Sequence, residues 1–311
     1  MPRQTVKKAK TKKQDSKQRI MDAHQHAFWH KRNDAGLIAD MDEHGIDKAW
    51  VLTWEVPARE DNPPSHPAFN PEHFRPDGTH PGITLGDCLK TRDRYPDRFI
   101  LGYCPDPVPN IAPRQFEAAY RMHGVRVCGE WKYRMHLDDP RCLELFNKAG
   151  ELGCPVVLHI DIPYIMKEGK LTYYSDWYGG TVENLARAAD ACPRTTFIGH
   201  APGFWREISG DADTDPSGYP RGKVTPGGRL YELFDKHPNV MADISGESGR
   251  NALARDAAHA QEFLTRFADR LLFGRDFYGG ALQEFLAKVM LPDDVWPKIL
   301  WENANRLVPI P

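Results

Sequence analysis

The sequence predicts an α/β protein, a single (β/α)8 barrel with long loops after its strands. Eight short apolar segments recur along the 311 residues, without the long apolar–polar alternation of a half-exposed strand. Amphipathic helical segments separate them, and the longest connections all follow predicted strands. Eight buried strands that alternate with helices predict a closed barrel more readily than an open sheet.

The predicted strands are runs rich in valine, isoleucine, leucine and phenylalanine, which is typical of a parallel sheet covered on both faces. They span residues 20–27, 48–54, 99–104, 124–130, 155–161, 195–201, 240–245 and 271–277. Helical periodicity lies between them, in residues 34–44, 113–123, 139–152, 181–191, 228–236, 255–268, 282–290 and 293–307. Proline near a helix start, as at Pro113, and glycine after a helix end, as at Gly153, support these boundaries.

Residues 1–19 differ from the rest of the chain in charge. They hold eight lysines and arginines against one acid, Asp15, and almost nothing that a core could bury. A segment of this composition is expected to be disordered, so the barrel is expected to occupy residues 20–311. The formal net charge of the whole chain is −2, which gives no indication of a nucleic-acid partner.

The sequence also bears on the compartment and on possible partners. No apolar run approaches the roughly 20 residues that a membrane helix needs, and none follows the basic segment as in a secretory signal. The six cysteines are scattered, without a C-x-x-C pair. Such thiols favour a reducing compartment, so we expect a cytoplasmic protein without a membrane partner. Its expected partner is a small-molecule substrate, and a homo-oligomer is compatible with the sequence.

Three connections are too long to be simple turns. They span residues 55–98, 161–180 and 202–228; the second contains four tyrosines and one tryptophan, and the third contains one phenylalanine, one tryptophan and one tyrosine. Because all three follow strands, they belong to the carboxyl end of the barrel, where barrel active sites are found. We expect the aromatic loop 161–180 to cover a site, although any of these loops could simply cover apolar surface.

Residues able to bind a metal end four of the predicted strands. His24 and His26 are two apart in the first strand, so alternation gives both imidazoles the same direction. His159 ends the fifth strand, His200 the sixth and Asp276 the eighth. An isolated H-x-H is a weak signal, but chance seldom places a whole coordination set at one end of a barrel.

This donor set suits a divalent metal. Neutral imidazoles with a carboxylate suit Zn²⁺ first, with Mn²⁺ or Fe²⁺ as alternatives, and leave positions open for water and substrate. A divalent metal lowers the pKa of a water molecule from about 15.7 to about 7, which makes hydrolysis possible at neutral pH. Asp276 is then placed to orient that water or take its proton, and His200 to polarise the substrate or protonate the leaving group.

Five motifs together resemble the amidohydrolase superfamily. They are DAHQH, VVLHID, FIGHAPG, LLFGRDF and the closing ENANRL, and they extend over about residues 20–307. The pattern is most similar to the branch that contains aminocarboxymuconate semialdehyde decarboxylase. This resemblance implies a metal held by His24, His26, His159 and Asp276. It also implies that His200 contacts the water or the substrate.

Glu130, which ends the fourth predicted strand, leaves two interpretations open. Alternation sends Val125 and Val127 toward the helices and Cys128 and Glu130 into the barrel. An inward Glu130 could bridge two metals, with His159 and His200 on the second one, and this would favour hydrolysis. Alternatively, Glu130 pairs with a nearby cation or binds substrate. The number of metal ions, one or two, therefore stays open.

These observations predict a metal-dependent hydrolase that acts on a small carboxylate, lactone, amide or ester. The first alternative is a non-oxidative decarboxylase with the same ligands, and a more remote one is a barrel that binds without catalysis. The cations near the fourth strand could hold a substrate carboxylate or lie on the surface; they are Arg126, Lys132 and Arg134. Asp243 and Ser245 are expected to line the pocket or to support the ligands from behind. Arg275 stands where the related proteins more often have a small residue, and the sequence does not explain it.

Overall fold

Eight parallel strands form the centre of the part of the chain that the structure describes. The structure is a computed structural model, and it describes residues 18–168, 170–215 and 217–310. The strands are β1 Met21–His26, β2 Lys48–Leu52, β3 Phe99–Leu101, β4 Cys128–Trp131, β5 Val156–His159, β6 Phe197–His200, β7 Val240–Asp243 and β8 Leu271–Leu272. The predicted basic tail, apart from Gln18 and Arg19, lies outside the described residues.

Backbone hydrogen bonds join the strands into a ring. One parallel sheet has the order β1-β2-β3, and a second has the order β4-β5-β6-β7-β8. Gly102, just beyond β3, pairs in parallel with Val127, just before β4. On the other side, the Ala23 amide of β1 donates to the Phe273 carbonyl at 2.9 Å. The predicted (β/α)8 barrel is therefore confirmed.

Helices pack around this ring. They are α1 Asp34–Glu43, α2 Leu85–Arg94, α3 Ala112–His123, α4 Pro140–Glu151, α5 Val182–Ala191, α6 Arg229–Lys236, α7 Gly246–Ala254, α8 Ala257–Arg266 and α9 Ala281–Leu286. A single turn, Pro202–Trp205, follows β6. The predicted last helix is divided into Val295–Pro297, the π-helical Lys298–Glu302 and Asn303–Leu307. None of these helices is long and apolar enough to cross a membrane.

Local sequence signals fix several of these boundaries. Asp139 accepts a hydrogen bond from the Arg141 amide and starts α4. Gly124 ends α3 with a φ of +71°, a left-handed conformation that glycine adopts without steric cost. Two helices, α2 and α7, lie in segments where the sequence analysis predicted none. A capping box between Thr84 and Asp87 starts α2. The predicted connection 55–98 therefore contains a helix and is not one continuous loop.

Two hairpins emerge from the carboxyl end of the barrel. Trp54–Glu55 pairs antiparallel with Gly82–Ile83, which ties the connection after β2 to its own base. Tyr164–Lys167 pairs antiparallel with Lys170–Tyr173 inside the predicted aromatic loop. Both connections leave strands at the end where the candidate ligands stand, so they form the walls around that end.

The core has two layers. A small cluster fills the barrel interior below the candidate ligands; it includes Met21, Ala23, Trp50, Leu52, Val127, Val157, Ile198, Met241 and Leu272. A larger cluster lies between the strands and the helices. The inner cluster occupies the interior and leaves only the carboxyl ends of the strands for polar side chains. The polar centre therefore has an apolar floor.

Candidate active site

The six candidate residues meet at the carboxyl end of the barrel. Two groups of side chains each bring three ligand atoms within 4.8 Å of one another. The first group is His24, His26 and Asp276, and the second is His24, Glu130 and His200. Because the two groups share His24, they form one continuous polar centre.

The first group joins β1 to the segment after β8. Asp276 Oδ1 lies 3.8 Å from His24 Nε2 and 3.4 Å from His26 Nε2. The His26 Nδ1 lies 3.0 Å from the Leu52 carbonyl, a contact that leaves Nε2 as the nitrogen facing the centre. Asp276 has a φ of +53°, an uncommon conformation for a residue with a side chain, and its amide donates to the His24 carbonyl at 2.8 Å.

Glu130 turns into the barrel, but the predicted face pattern of β4 is wrong. Val127 belongs to the interior cluster and Cys128 to the outer one, the reverse of the prediction. An irregularity in the pairing with β5, between Cys128 and Trp131, restores the inward direction at Glu130. The carboxylate is 2% exposed, and its Oε2 lies 3.6 Å from His26 Nε2.

His159 lies beside both groups rather than inside either of them. Its Nδ1 is 2.7 Å from Glu130 Oε1, and its Nε2 is 3.0 Å from Asp161 Oδ2. Its ring centroid lies 5.4 Å from that of His200. The resemblance implied His159 as a ligand together with His24, His26 and Asp276; here its nitrogens face two carboxylates, and only Nδ1 faces the centre. Sequence reasoning did not single out Asp161.

Asp243, at the end of β7, orients two of the histidines. Its Oδ2 lies 2.9 Å from His24 Nδ1, and its Oδ1 lies 2.9 Å from His200 Nδ1. Ser245 adds a hydroxyl 2.9 Å from the same His200 nitrogen and also donates to Asp243. When both Nδ1 atoms donate to this carboxylate, both Nε2 atoms are left with lone pairs that face the centre.

Arg275 is explained by a buried ion network behind the centre. Its guanidinium lies 2.7 Å from Asp22 Oδ2 and 2.7 Å from Asp40 Oδ2. Asp22 Oδ1 also accepts the backbone amides of His24, at 3.2 Å, and of Arg275, at 2.9 Å. The network thus links β1, α1 and the segment that carries Asp276.

Three observations show that this centre fits a divalent cation. His24 Nε2 is buried and has no hydrogen-bond partner among the described residues. Burial alone would lower the pKa of His200, but the Asp243 and Asp276 carboxylates raise it well above its ordinary value. Burial alone would raise the pKa of Asp276, yet His24 and His200 hold it well below. A centre that stabilises positive charge in this way, with nitrogen and oxygen donors, suits a metal ion.

A pocket of about 590 Å³ opens next to His159 and Asp161. The aromatic loop contributes Tyr174 to its wall, and Tyr178 places its ring centroid 5.5 Å from that of His159. Trp177 instead packs against His136, with 5.4 Å between the ring centroids. Part of the loop therefore borders the site, whereas Trp177 contacts the neighbouring loop.

A second depression, of about 270 Å³, is lined in part by Asp276. Trp29, His30 and Phe277 line it, and the Trp29 indole donates to the Asp276 carbonyl at 2.9 Å. Asp276 therefore borders this depression, with part of its side chain exposed.

The barrel and its polar centre define an enzyme of the type that works at the carboxyl ends of barrel strands. Residues 21–310 match the sequence model of the family described as Amidohydrolase, and the chain belongs to that family. The family predicted from the five motifs is therefore confirmed. A comparison with curated protein sequences gave no match.

Solved structures with similar folds cover nearly the whole chain at low identity. A 5-carboxyvanillate decarboxylase from Sphingomonas paucimobilis is 16% identical, with a TM-score of 0.58, over 94% of this chain and 100% of its own. A dihydroxybenzoic acid decarboxylase from Polaromonas, with bound manganese, is 15% identical, with a TM-score of 0.55, over 93% and 96%. A probable 2-pyrone-4,6-dicarboxylic acid hydrolase from Acinetobacter baumannii is 12% identical, with a TM-score of 0.54, over 93% and 98%. At such identities the likeness concerns the fold.

Proposed function

We propose that the protein is a metal-dependent hydrolase that cleaves a small lactone, ester or amide. The observation that carries this proposal is the inward Glu130, 2.7 Å from His159 and 3.6 Å from His26. Its carboxylate lies between the histidines of β1 and the histidine of β5, where it can bind an ion together with either. A carboxylate in this position suits a centre that activates water.

In this proposal His24, His26 and Asp276 hold a divalent ion. Glu130 and His200, with Nδ1 of His159 beside them, are the donors for a second one. The nitrogen-rich set favours Zn²⁺, and Mn²⁺ is the first alternative because two of the similar solved structures contain it. A bound divalent ion supplies Lewis acidity, which polarises a substrate carbonyl and makes a water molecule more acidic.

The protein side chains supply the proton transfers. Asp276 is partly exposed at the mouth and is the base that accepts a proton from the attacking water. His200 Nε2 lies 3.4 Å from Asp276 Oδ2, so the two groups can work on the same substrate. With one ion bound, His200 remains free to protonate the leaving group, and Asp243 fixes its orientation.

Non-oxidative decarboxylation of an aromatic acid is the second candidate. It is favoured by the decarboxylases among the similar solved structures and by the first group, which suffices for one ion. The two reactions differ in their products, because only decarboxylation releases CO₂.

The test begins with the metal. The chelator-treated protein is reloaded with Zn²⁺, Mn²⁺ or Fe²⁺, and bound metal is counted for the native protein and two variants. His26→Ala should lose most of the metal and the activity while it stays folded. His237→Ala, which removes a histidine that contacts Asp190 away from the centre, should keep both. Unchanged metal content in His26→Ala would contradict the proposal.

The reaction is then assigned with a panel of aryl lactones, esters, amides and carboxylic acids. Hydrolysis of the first three classes supports the proposal, and CO₂ release from the acids supports the second candidate. Glu130→Gln should lower metal content or turnover by roughly an order of magnitude or more, as losses of ligands or of their hydrogen-bond partners commonly do. Loss of one ion out of two in this variant would assign Glu130 to the second ion.

A further inference from the structure

Lys132, two residues after Glu130, holds its ammonium group among aromatic rings. The Lys132 Nζ lies 3.5 Å from the centroid of the Trp54 ring and 5.3 Å from that of the Tyr178 ring. Both rings are nearly buried, at 7% exposure each, so they form a fixed cage for the ammonium. A cation over aromatic faces is attracted by them, but the rings accept none of its protons as a carboxylate would.

The ammonium has no direct ionic partner in the described part of the chain. No carboxylate of the described residues lies within 4.0 Å of Lys132 Nζ. The two carboxylates that share a small cavity with it are engaged elsewhere. Asp61 Oδ1 lies 2.8 Å from His66 and accepts the His80 amide at 2.9 Å. Glu60 Oε2 accepts the Arg134 amide at 3.0 Å.

The cage lies at the mouth of the polar centre. The Tyr178 ring centroid is 5.5 Å from that of His159. On the other side, the Trp54 ring centroid is 5.6 Å from that of Trp29, which in turn is 5.5 Å from that of His26. Lys132 is thus held between Tyr178, which contacts His159, and Trp54, which is linked to His26 through Trp29.

A counter-ion for Glu130 is the simplest alternative role. Burial alone would raise the pKa of Glu130, and the charge of Lys132 is the largest influence that lowers it. However, Glu130 Oε1 is already 2.7 Å from His159 Nδ1, and Lys132 does not touch the carboxylate. The positive charge of Lys132 is therefore close enough to lower the pKa of Glu130, and its N–H groups can still donate hydrogen bonds to a ligand.

We propose that Lys132 binds a carboxylate of the substrate while the scissile carbonyl lies at the metal centre. This inference rests on the proposed function and narrows its substrate class to esters, lactones or amides that also carry a carboxylate. A charge-assisted hydrogen bond to such a group is stronger than the aromatic contacts that now hold the ammonium. Trp54 and Tyr178 already hold the ammonium between them, which limits the entropy lost on binding.

The test measures binding rather than turnover. The metal-loaded protein is titrated by calorimetry with 4-acetylbenzoate and with its neutral isostere, 4-nitroacetophenone, neither of which contains an ester, lactone or amide bond. The native protein should bind the carboxylate at least about tenfold more tightly, as expected for a charge-assisted contact. Lys132→Met should abolish this preference, Lys132→Arg should retain much of it, and the surface variant Lys90→Met should retain all of it.

Two outcomes would overturn the inference: equal binding of the two probes by the native protein, or an undiminished carboxylate preference in Lys132→Met. If Lys132→Met fails to fold, Lys132→Gln removes the charge while keeping a polar group. The metal content of each variant should equal that of the native protein, because Lys132 is not among the proposed ligands. Lys132→Met could lose the carboxylate preference while the native protein hydrolyses none of the esters, lactones or amides. That result would support the carboxylate site and refute only the hydrolase proposal.

Discussion

Asp243→Asn is the sharpest test of how the protein orients its metal ligands. The native carboxylate is fully buried and lies 2.9 Å from His24 Nδ1 and 2.9 Å from His200 Nδ1. It can accept a hydrogen bond from each of the two nitrogens, one on each oxygen. Asparagine has nearly the same shape but offers one acceptor oxygen and one NH₂ group.

The expected magnitude follows from this loss of one acceptor. In the variant, one histidine still donates from Nδ1, but the other faces an NH₂ group and must accept a hydrogen bond instead. Its proton then moves to Nε2, the nitrogen that faces the centre, and that imidazole can no longer bind the ion. Loss of an orienting partner of this kind costs roughly 10- to 100-fold in metal affinity. This range corresponds to about 1.4–2.7 kcal/mol.

A competition titration with a chelator measures this affinity directly. Circular dichroism is recorded alongside, so that a loss of fold is recognised. Ser245→Ala is the matched control, because it removes a hydroxyl 2.9 Å from the same His200 nitrogen and leaves the carboxylate in place. Its affinity should fall much less. A folded Asp243→Asn that binds the ion as tightly as the native protein would refute the argument that Asp243 sets the tautomers.

Two further predictions concern stability. Arg275→Met leaves the fully buried Asp22 carboxylate without its cation, while Asp40 keeps Arg32 at 3.1 Å, so urea unfolding should show a loss of about 3–5 kcal/mol. Arg250→Met removes only an exposed pair with Glu247 and should cost at most about 1 kcal/mol; equal losses would contradict the role of the network. Folding raises the pKa of His200, so protonation of this residue stabilises the folded protein. In the chelated protein this stabilisation is complete below the ordinary histidine pKa of about 6.5 and is lost as the pH rises through the folded-state pKa. Melting temperatures from pH 6 to 9 should therefore fall without metal and fall less with it, and a flat profile without metal would contradict this prediction.

The strand ends could be predicted because their signals are local. A buried parallel strand is an apolar run, and the residue that ends it at the mouth is read directly from the sequence. Alternation sufficed for His24 and His26, whose Nε2 atoms lie 3.8 and 3.4 Å from Asp276 Oδ1. The helix α2 was missed because proline and histidine dominate the region before it, although Thr84 and Asp87 carried a capping signal.

The residues behind the centre depend on distant parts of the chain. Arg275 meets Asp22 across 253 residues, and Asp243 meets His24 across 219. Neither partner can be read from a local pattern, so the sequence predicted for Asp243 a place in the pocket wall or behind the ligands but not its partners. Strand alternation gives no firm prediction for Arg275, because β8 ends at Leu272 and the following backbone is no longer a strand. A signal existed in the buried, strand-borne position of Asp22, since a carboxylate there requires a partner.

The sequence predicted that Glu130 faces into the barrel, but regular alternation alone does not give it this direction. Regular alternation sends Cys128 and Glu130 to one face, and the structure separates them: Cys128 packs outside and Glu130 faces the histidines. The irregular pairing before Trp131 makes the difference, and strand irregularities of this kind often redirect a side chain next to an active site. A methyl group at the neighbouring Gly129 would lie 2.9 Å from Val157 Cβ, so only glycine fits this close passage without a shift. The inward carboxylate on which the hydrolase proposal rests thus depends on a glycine as well as on the glutamate itself.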